Sequence, residues 1–229
     1  MNDGSASGRA AARAKGVGGF ILAGGESSRM GRDKALLELG GEALIVRAAR
    51  LVEAATRCAI VGDSTRLVEA ATRCAIVGDS VRLEGFELEV IGDDFPGAGP
   101  LGGIATALRA SEAEWNLVVA CDLPYLTREW LEFLIGRAVR SEADAVLPMN
   151  ERGAEPLCAA YRKRAEGAIR AALDRGVRKV TDGLADVRIE FIEPGEWKGF
   201  DSNGLLFKNM NSPADYEEAK SRLDGRLKR

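Results

Sequence analysis

At 229 residues the chain is long enough for a full α/β core, and 46% hydrophobic with 29% charged residues is the balance of an ordinary globular protein. A net charge of −3, with acids and bases interleaved, excludes a basic nucleic-acid arm and a membrane-surface patch, and no apolar run reaches the roughly 18 residues of a membrane span. Histidine is absent, which removes Ser-His triads, histidine general bases and histidine metal ligands together, so any metal must be held by oxygen in the manner of magnesium.

The opening MNDGSASGRAAARAKG lacks the apolar centre of a signal peptide. Its Gly, Ser, Ala and Arg content reads as a disordered tail over 1–16, with a transit peptide as the competing reading, and leaves 17–229 as one domain. GGFILAG near 18–24 then reads as a first strand, and EALIVRAARLVEAA over 42–55 carries apolar residues at helical spacing. FELEVIG over 86–92 alternates as a strand does, GPLGGIATALRA over 99–110 turns helical after its glycines, and NLVVACD over 116–122 is a continuous apolar run suited to a central parallel strand. TREWLEFLIGRAVR over 127–140 begins at a threonine N-cap. DAVLPM, PLCAAYR and VRIEFIE supply further strands, and SPADYEEAKSRL over 212–223 opens with Ser then Pro, as a helix start does. Strand and helix alternating over this length predict an α/β fold of three layers around a doubly wound, mostly parallel sheet.

RLVEAATRCAIVGDS occurs at 50–64 and again, unchanged, at 66–80. Two identical copies do not make a solenoid, which needs three or more repeats. Each copy spells a helix end plus one strand, so a recent tandem duplication is the natural reading: one CAIVG takes the sheet position, and the other unit forms an extra excursion at the edge. Cys58, Cys74, Cys121 and Cys158 form no CxxC pair, and read as reduced, mostly buried thiols of a cytoplasmic protein.

Four segments carry chemistry. LAGGESSRMGRDK, Leu22 to Lys34, follows a strand directly, where α/β sheets open their ligand crevice. Gly24 and Gly25 allow backbone N–H groups to approach phosphate oxygens, Ser27 and Ser28 add hydroxyl donors, and Arg29 and Lys34 can neutralise phosphate charge. The alternative is a glycine-rich turn with solvated bases. The segment matches neither the dinucleotide fingerprint nor the Walker A loop. In GDDFPGAGPLGGI, 92–104, Asp93 and Asp94 follow a strand and could accept hydrogen bonds from a base or sugar, or simply be surface acids in a turn. Gly102 and Gly103 would let a nucleotide approach the helix start. In VVACDLPYL, 118–126, Asp122 ends a strong strand and is the first choice of magnesium ligand, the alternative being an Asp that starts a turn before Pro124. In FKNMNSPADY, 207–216, Asn209 and Asn211 project to one side of an extended segment, or belong to an ordinary loop entering a helix.

In order and spacing these segments resemble the molybdenum cofactor guanylyltransferases (MobA-type), nucleotidyltransferases with a Rossmann-like fold. The family pattern LAGG-x-S-x-RMG-x-DK is matched at each fixed position of Leu22–Lys34. GPLGGI, CDLP, EPLCAAYR at 155–162 and NMNSPAD also resemble their family equivalents, over roughly residues 17 to 225. The resemblance implies a Mg²⁺-dependent enzyme that transfers GMP from GTP to molybdenum-bearing molybdopterin and releases pyrophosphate. It implies that Leu22, Ala23, Gly24 and Gly25 cradle the nucleotide and that Lys34 and Arg29 bind its phosphates. It further implies that Asp93 holds the nucleoside, that Asp122 holds Mg²⁺, and that Asn209 and Asn211 face the acceptor. Proteins of molybdenum-cofactor synthesis or delivery are the implied partners, with no nucleic acid and no membrane. The family's asparagine-containing segment after the second strand reads IVGDS here, in both copies. Competing readings are a CTP-dependent molybdopterin cytidylyltransferase, a sugar-phosphate nucleotidyltransferase, and a nucleotide- or pterin-binding module without turnover.

Overall fold

A computed structural model describes residues 16–23, 34–57, 74–79 and 89–227. In chain order the strands are β1 (Val17–Leu22), β2 (Glu38–Leu39), β3 (Glu42–Ala43), β4 (Cys74–Val77), β5 (Glu89–Ile91), β6 (Trp115–Ala120), β7 (Ala145–Asn150), β8 (Gly153–Ala154), β9 (Cys158–Arg162) and β10 (Ile189–Ile192). The helices are α1 (Leu44–Arg57), α2 (Pro100–Ala110), α3 (Arg128–Arg140), α4 (Glu166–Asp174), α5 (Val180–Gly183), α6 (Pro194–Trp197) and α7 (Pro213–Leu227). The main sheet runs β10-β7-β9-β6-β1-β4-β5, with β8 paired to β7, and β2-β3 form a separate small hairpin.

Pairing is parallel between β1 and both β4 and β6, between β4 and β5, and between β7 and β10. The sheet is therefore mostly parallel, as its strand-helix alternation predicts. β9 is the exception within the path: it runs antiparallel to both β6 and β7. Its first residues consequently lie at the end of the sheet where β1, β6 and β7 finish.

Alternation along the buried strands divides the core between two faces. Ile21, Ile76, Leu117, Val119, Val146, Cys158 and Ala160 share one apolar cluster with α1 and α3. Phe20, Leu22, Ala75, Val77, Val118, Leu147, Ala159 and Tyr161 share the other with α2, α4 and α5. β1 and β6 are buried along their whole length, as expected of central strands covered on both faces. A third cluster of Leu39, Leu44, Met210 and Ala219 ties α7 to the β2-β3 hairpin.

Two local expectations meet their physical test here. Thr127 caps α3, its side chain accepting from Trp130 N at 3.3 Å. Gly102 and Gly103 are not open to a ligand, contrary to the reading of the 92–104 segment. A Cβ on Gly102 would stand 2.9 Å from Phe95 Cβ and 3.1 Å from the Phe95 carbonyl, and one on Gly103 would stand 3.2 Å from Leu22. Both glycines serve close packing of α2 against its own entry loop and against β1.

The duplication resolves in part. α1 closes in the first copy at Arg57, and β4 opens in the second at Cys74. The second copy thus supplies the sheet strand, paired on one side to β1 and on the other to β5. The expected edge excursion falls within 58–73, and the expected tail within 1–15; both lie outside the described residues.

Candidate active site

The strand order reverses direction at β1, with β4 and β5 built outward on one side and β6, β9 and β7 on the other. A crevice opens beyond the carboxyl ends of strands at such a switch point. β1 and the strands beside it finish level: Ala23 N donates to Val77 O at 3.0 Å, and Cys121 N donates to Leu22 O at 3.2 Å. Leu22 and Ala23 are buried at this rim. Gly24, Gly25 and Arg29 lie outside the described residues.

Lys34, Asp122 and Asn211 meet at the crevice. Lys34 Nζ donates to Asn211 Oδ1 at 2.9 Å and lies 3.9 Å from Asp122 Oδ2. Three separate elements make the meeting. Lys34 heads a short turn of 3₁₀ helix, Asp122 follows β6, and Asn211 precedes α7. The last two are joined directly, because Met210 N donates to the Asp122 carbonyl at 2.9 Å. Asn209 is half-buried one residue earlier, with Met210 turned into the core between the two asparagines. The Asp122 and Lys34 side chains are 23% and 21% exposed, so each keeps a path to a ligand while losing most of its water. Burial pushes the Asp122 carboxyl above the ordinary carboxylate value, and the Lys34 ammonium opposes that rise.

Supporting contacts hold this arrangement. Arg47 Nε donates to the Pro124 carbonyl at 3.2 Å, steadying the loop after Asp122. Asp215 Oδ2 accepts from Asn211 N at 3.1 Å, Ser212 N at 2.9 Å and Ser212 Oγ at 2.7 Å, and Ser212 Oγ accepts from Asp215 N at 3.2 Å. This reciprocal cap opens α7 and orients Asn211. The Ser-x-x-Asp spacing of SPAD was a visible sign of it, although the sequence reading took only the Ser-Pro start.

Asp93 stands apart from that trio. Its Oδ1 accepts from Phe95 N at 2.9 Å and from the Thr106 hydroxyl at 3.2 Å, so one oxygen serves the turn between β5 and α2. Asp94 is committed to a bidentate pair with Arg109.

Glu155 is a functional candidate the sequence reading did not single out. It precedes the reversed strand β9 and so arrives at the same edge as Asp122. Asn150 Nδ2 donates to Glu155 Oε1, and Glu155 N donates to the Pro148 carbonyl at 2.9 Å. Burial lifts the Glu155 carboxyl above its ordinary range, Asn150 and Arg152 act against that, and the Asp122 charge adds to it.

Among the described residues no group of three or more His, Cys, Asp or Glu side chains could hold a metal. A single half-buried carboxylate nevertheless suits Mg²⁺, which keeps several waters and completes its shell with substrate phosphates. Asp122 is such a carboxylate. No helix among the described residues is long and apolar enough to cross a membrane.

Comparison with known proteins places the chain in a family. The model of the "MobA-like NTP transferase domain" matches residues 19–187. A protein of Pelotomaculum thermopropionicum named "Probable molybdenum cofactor guanylyltransferase" is 32% identical over 202 residues, covering 88% of this chain and 91% of its own. One of the same name from Natronomonas pharaonis is 33% identical over 213 residues, covering 90% and 97%. Among solved structures, molybdopterin-guanine dinucleotide biosynthesis protein A of Archaeoglobus fulgidus superposes with a TM-score of 0.74 at 26% identity, over 90% of this chain and 97% of that one. With a family model spanning most of its length and relatives aligned nearly end to end, the chain belongs to the MobA-like nucleotidyltransferases.

Proposed function

We propose that the protein transfers GMP from GTP to molybdenum-bearing molybdopterin, releasing pyrophosphate, and that residues from 17 onward act as one nucleotidyltransferase domain. The observation that carries this reading is the convergence of Lys34, Asp122 and Asn211 at the switch-point crevice, in a chain of this family. The names of the guanylyltransferase relatives supply guanine as the base and molybdopterin as the acceptor.

The acceptor's phosphate oxygen attacks the α-phosphorus of GTP in line with departing pyrophosphate, and no general base is needed because that phosphate is already ionised. The absence of histidine is consistent with such chemistry. What the protein must supply is positioning and charge neutralisation. Lys34 acts on the phosphate charge, with Arg29 in the same role. The backbone of Leu22, Ala23, Gly24 and Gly25 cradles the nucleotide, and Asp93 uses its remaining oxygen on the nucleoside. Asn211 holds the Lys34 ammonium toward the crevice and, with Asn209, borders the acceptor. Asp122 is the residue that would hold Mg²⁺, which when bound neutralises charge on the phosphates as a Lewis acid.

The test is incubation of the purified chain with each nucleoside triphosphate, Mg²⁺ and molybdopterin, with pyrophosphate release as the readout. GTP-dependent release that requires molybdopterin is expected. Release with CTP alone, or binding without release, would overturn the reading.

A further inference from the structure

Lys34 lies 3.9 Å from Asp122 and is held by Asn211, and a second feature reaches Asp122 from the neighbouring strand β9. β9 pairs with β6 so that Cys158 lies opposite Val119, and Ala120 N donates to the Leu157 carbonyl at 2.8 Å. Followed further toward the crevice, that pairing brings Glu155 level with Asp122. Glu155 is not a loose surface acid. Its backbone is tied to Pro148, and its Oε1 accepts from Asn150 Nδ2, while Asn150 Oδ1 accepts from Arg152 N at 2.7 Å and closes the β7-β8 hairpin. Its second oxygen, Oε2, meets no protein donor among the described residues.

The site is therefore polarised, with an ammonium held by Asn211 and a fixed carboxylate held by Asn150 at the β9 and β7 end. A phosphate is repelled by the carboxylate end and drawn to the other. A neutral ring rich in N–H donors has the opposite preference, since a carboxylate accepts two parallel N–H groups well. Resting on the guanylyltransferase reading above, we infer that Glu155, held by Asn150, is an acceptor-specificity residue that receives the amino and ring N–H edge of the pterin and so orients the acceptor with its phosphate toward Lys34. The 2-amino-4-oxopyrimidine edge that a carboxylate would read is shared by pterin and guanine. Position assigns it to the pterin: Glu155 lies on the β6-β9-β7 half, whereas the nucleotide residues Leu22 and Ala23, at the end of β1, and Asp93, after β5, lie in the other half.

The experiment compares wild type with Glu155→Gln and Glu155→Ala, measuring the binding of isolated molybdopterin and of GTP separately by equilibrium dialysis, with thermal unfolding as a control. The Gln variant keeps an oxygen for Asn150 and replaces the second acceptor oxygen with an NH2 donor, removing the charge. A charged hydrogen bond of this kind is worth about tenfold or more in affinity. Molybdopterin binding should therefore weaken by about tenfold in both variants, while GTP affinity stays within about threefold and the melting temperature of the Gln variant is unchanged. Unaltered molybdopterin affinity in the Gln variant overturns the inference. So does a loss confined to GTP, which would make guanine the reader's target, or an equal loss for both ligands, which would make the role structural. Pyrophosphate release by the wild type tests the guanylyltransferase reading on its own, so that reading and the role of Glu155 fail by different measurements.

Discussion

Lys34 and Asn211 are 177 positions apart in the chain, yet the Lys34 ammonium donates to Asn211 Oδ1 at 2.9 Å. The contact closes a ring. Asn211 is linked through Met210 to the Asp122 carbonyl, and the Asp122 carboxylate stands 3.9 Å from Lys34. The two charged groups are thus held at a fixed separation by backbone and amide, and not by their mutual attraction alone.

Lys34→Ala and Asp122→Ala should each lower turnover by about 100-fold or more, since one positioned group acting on transition-state charge is worth about 2.7–4 kcal/mol. Both should fold, because neither side chain belongs to the apolar core. Steady-state pyrophosphate release beside a thermal melt checks this, and a normal rate from either folded variant defeats the assignment.

Asp215 offers a pH-dependent test. Its contacts with Ser212, the backbone N–H of Asn211 and the Lys208 ammonium hold its carboxyl below the ordinary value of 3.8. The folded state therefore favours the ionised form, and the stabilisation is complete above the ordinary value and lost as pH falls through the lower, folded one. Asp215→Asn should melt at lower temperature than wild type at neutral pH, by the roughly 1 kcal/mol of a helix cap. The gap should close as the solution is acidified. Because Asn211 loses a partner, activity should fall as well. A melting gap that widens on acidification contradicts the capping role.

The repeat yields a third expectation. Excising 58–73 produces the same chain as excising 50–65, because the copies are identical, and it removes no residue that the structure describes. Arg57, the last residue of α1, would then be joined directly to Cys74, the first residue of β4. The shortened chain should unfold cooperatively and be more stable by about 1 kcal/mol, the order of the chain entropy saved by shortening a connection. Loss of the cooperative melt would show that the fold requires 58–73.

Cys158 is fully buried in β9 and accepts from Trp130 Nε1 at 3.3 Å. Burial pushes its thiol up to about 12. Since only the thiolate reacts, native protein treated with iodoacetamide at about pH 8 should leave Cys158 unmodified, and should lose that protection only on denaturation. Peptide mass spectrometry reads the outcome, and rapid native labelling would place Cys158 nearer the surface.

Local chemistry alone determined much of this protein. The continuous apolar runs of β1 and β6, the alternation in the β5 region, the Thr127 cap and the Ser-Pro start of α7 are each set by neighbours a few residues away, and their order predicts a doubly wound sheet. The glycine-rich segment ending at Lys34 and the acid at Asp122 were visible for the same reason, as residue types placed after strands, and the paired asparagines as residue types placed before a helix start. α4 was missed, its short amphipathic run passing unremarked between strands.

What only the tertiary structure decided depends on pairings between distant segments. That β9 runs backwards between β6 and β7 is a matter of which neighbours it hydrogen-bonds, and strand direction leaves no periodicity in PLCAAYR; hence Glu155 could not be placed beside Asp122 from the sequence. Two identical copies of CAIVG cannot be told apart by composition, and the choice of Cys74–Val77 as β4 is made by its contacts with β1 and β5. Gly102 and Gly103 looked like an opening for a nucleotide until Phe95 and Leu22 were seen to fill the space where their side chains would be. Packing and long-range hydrogen bonding are collective properties of the folded chain, and they turned four separate motifs into one crevice.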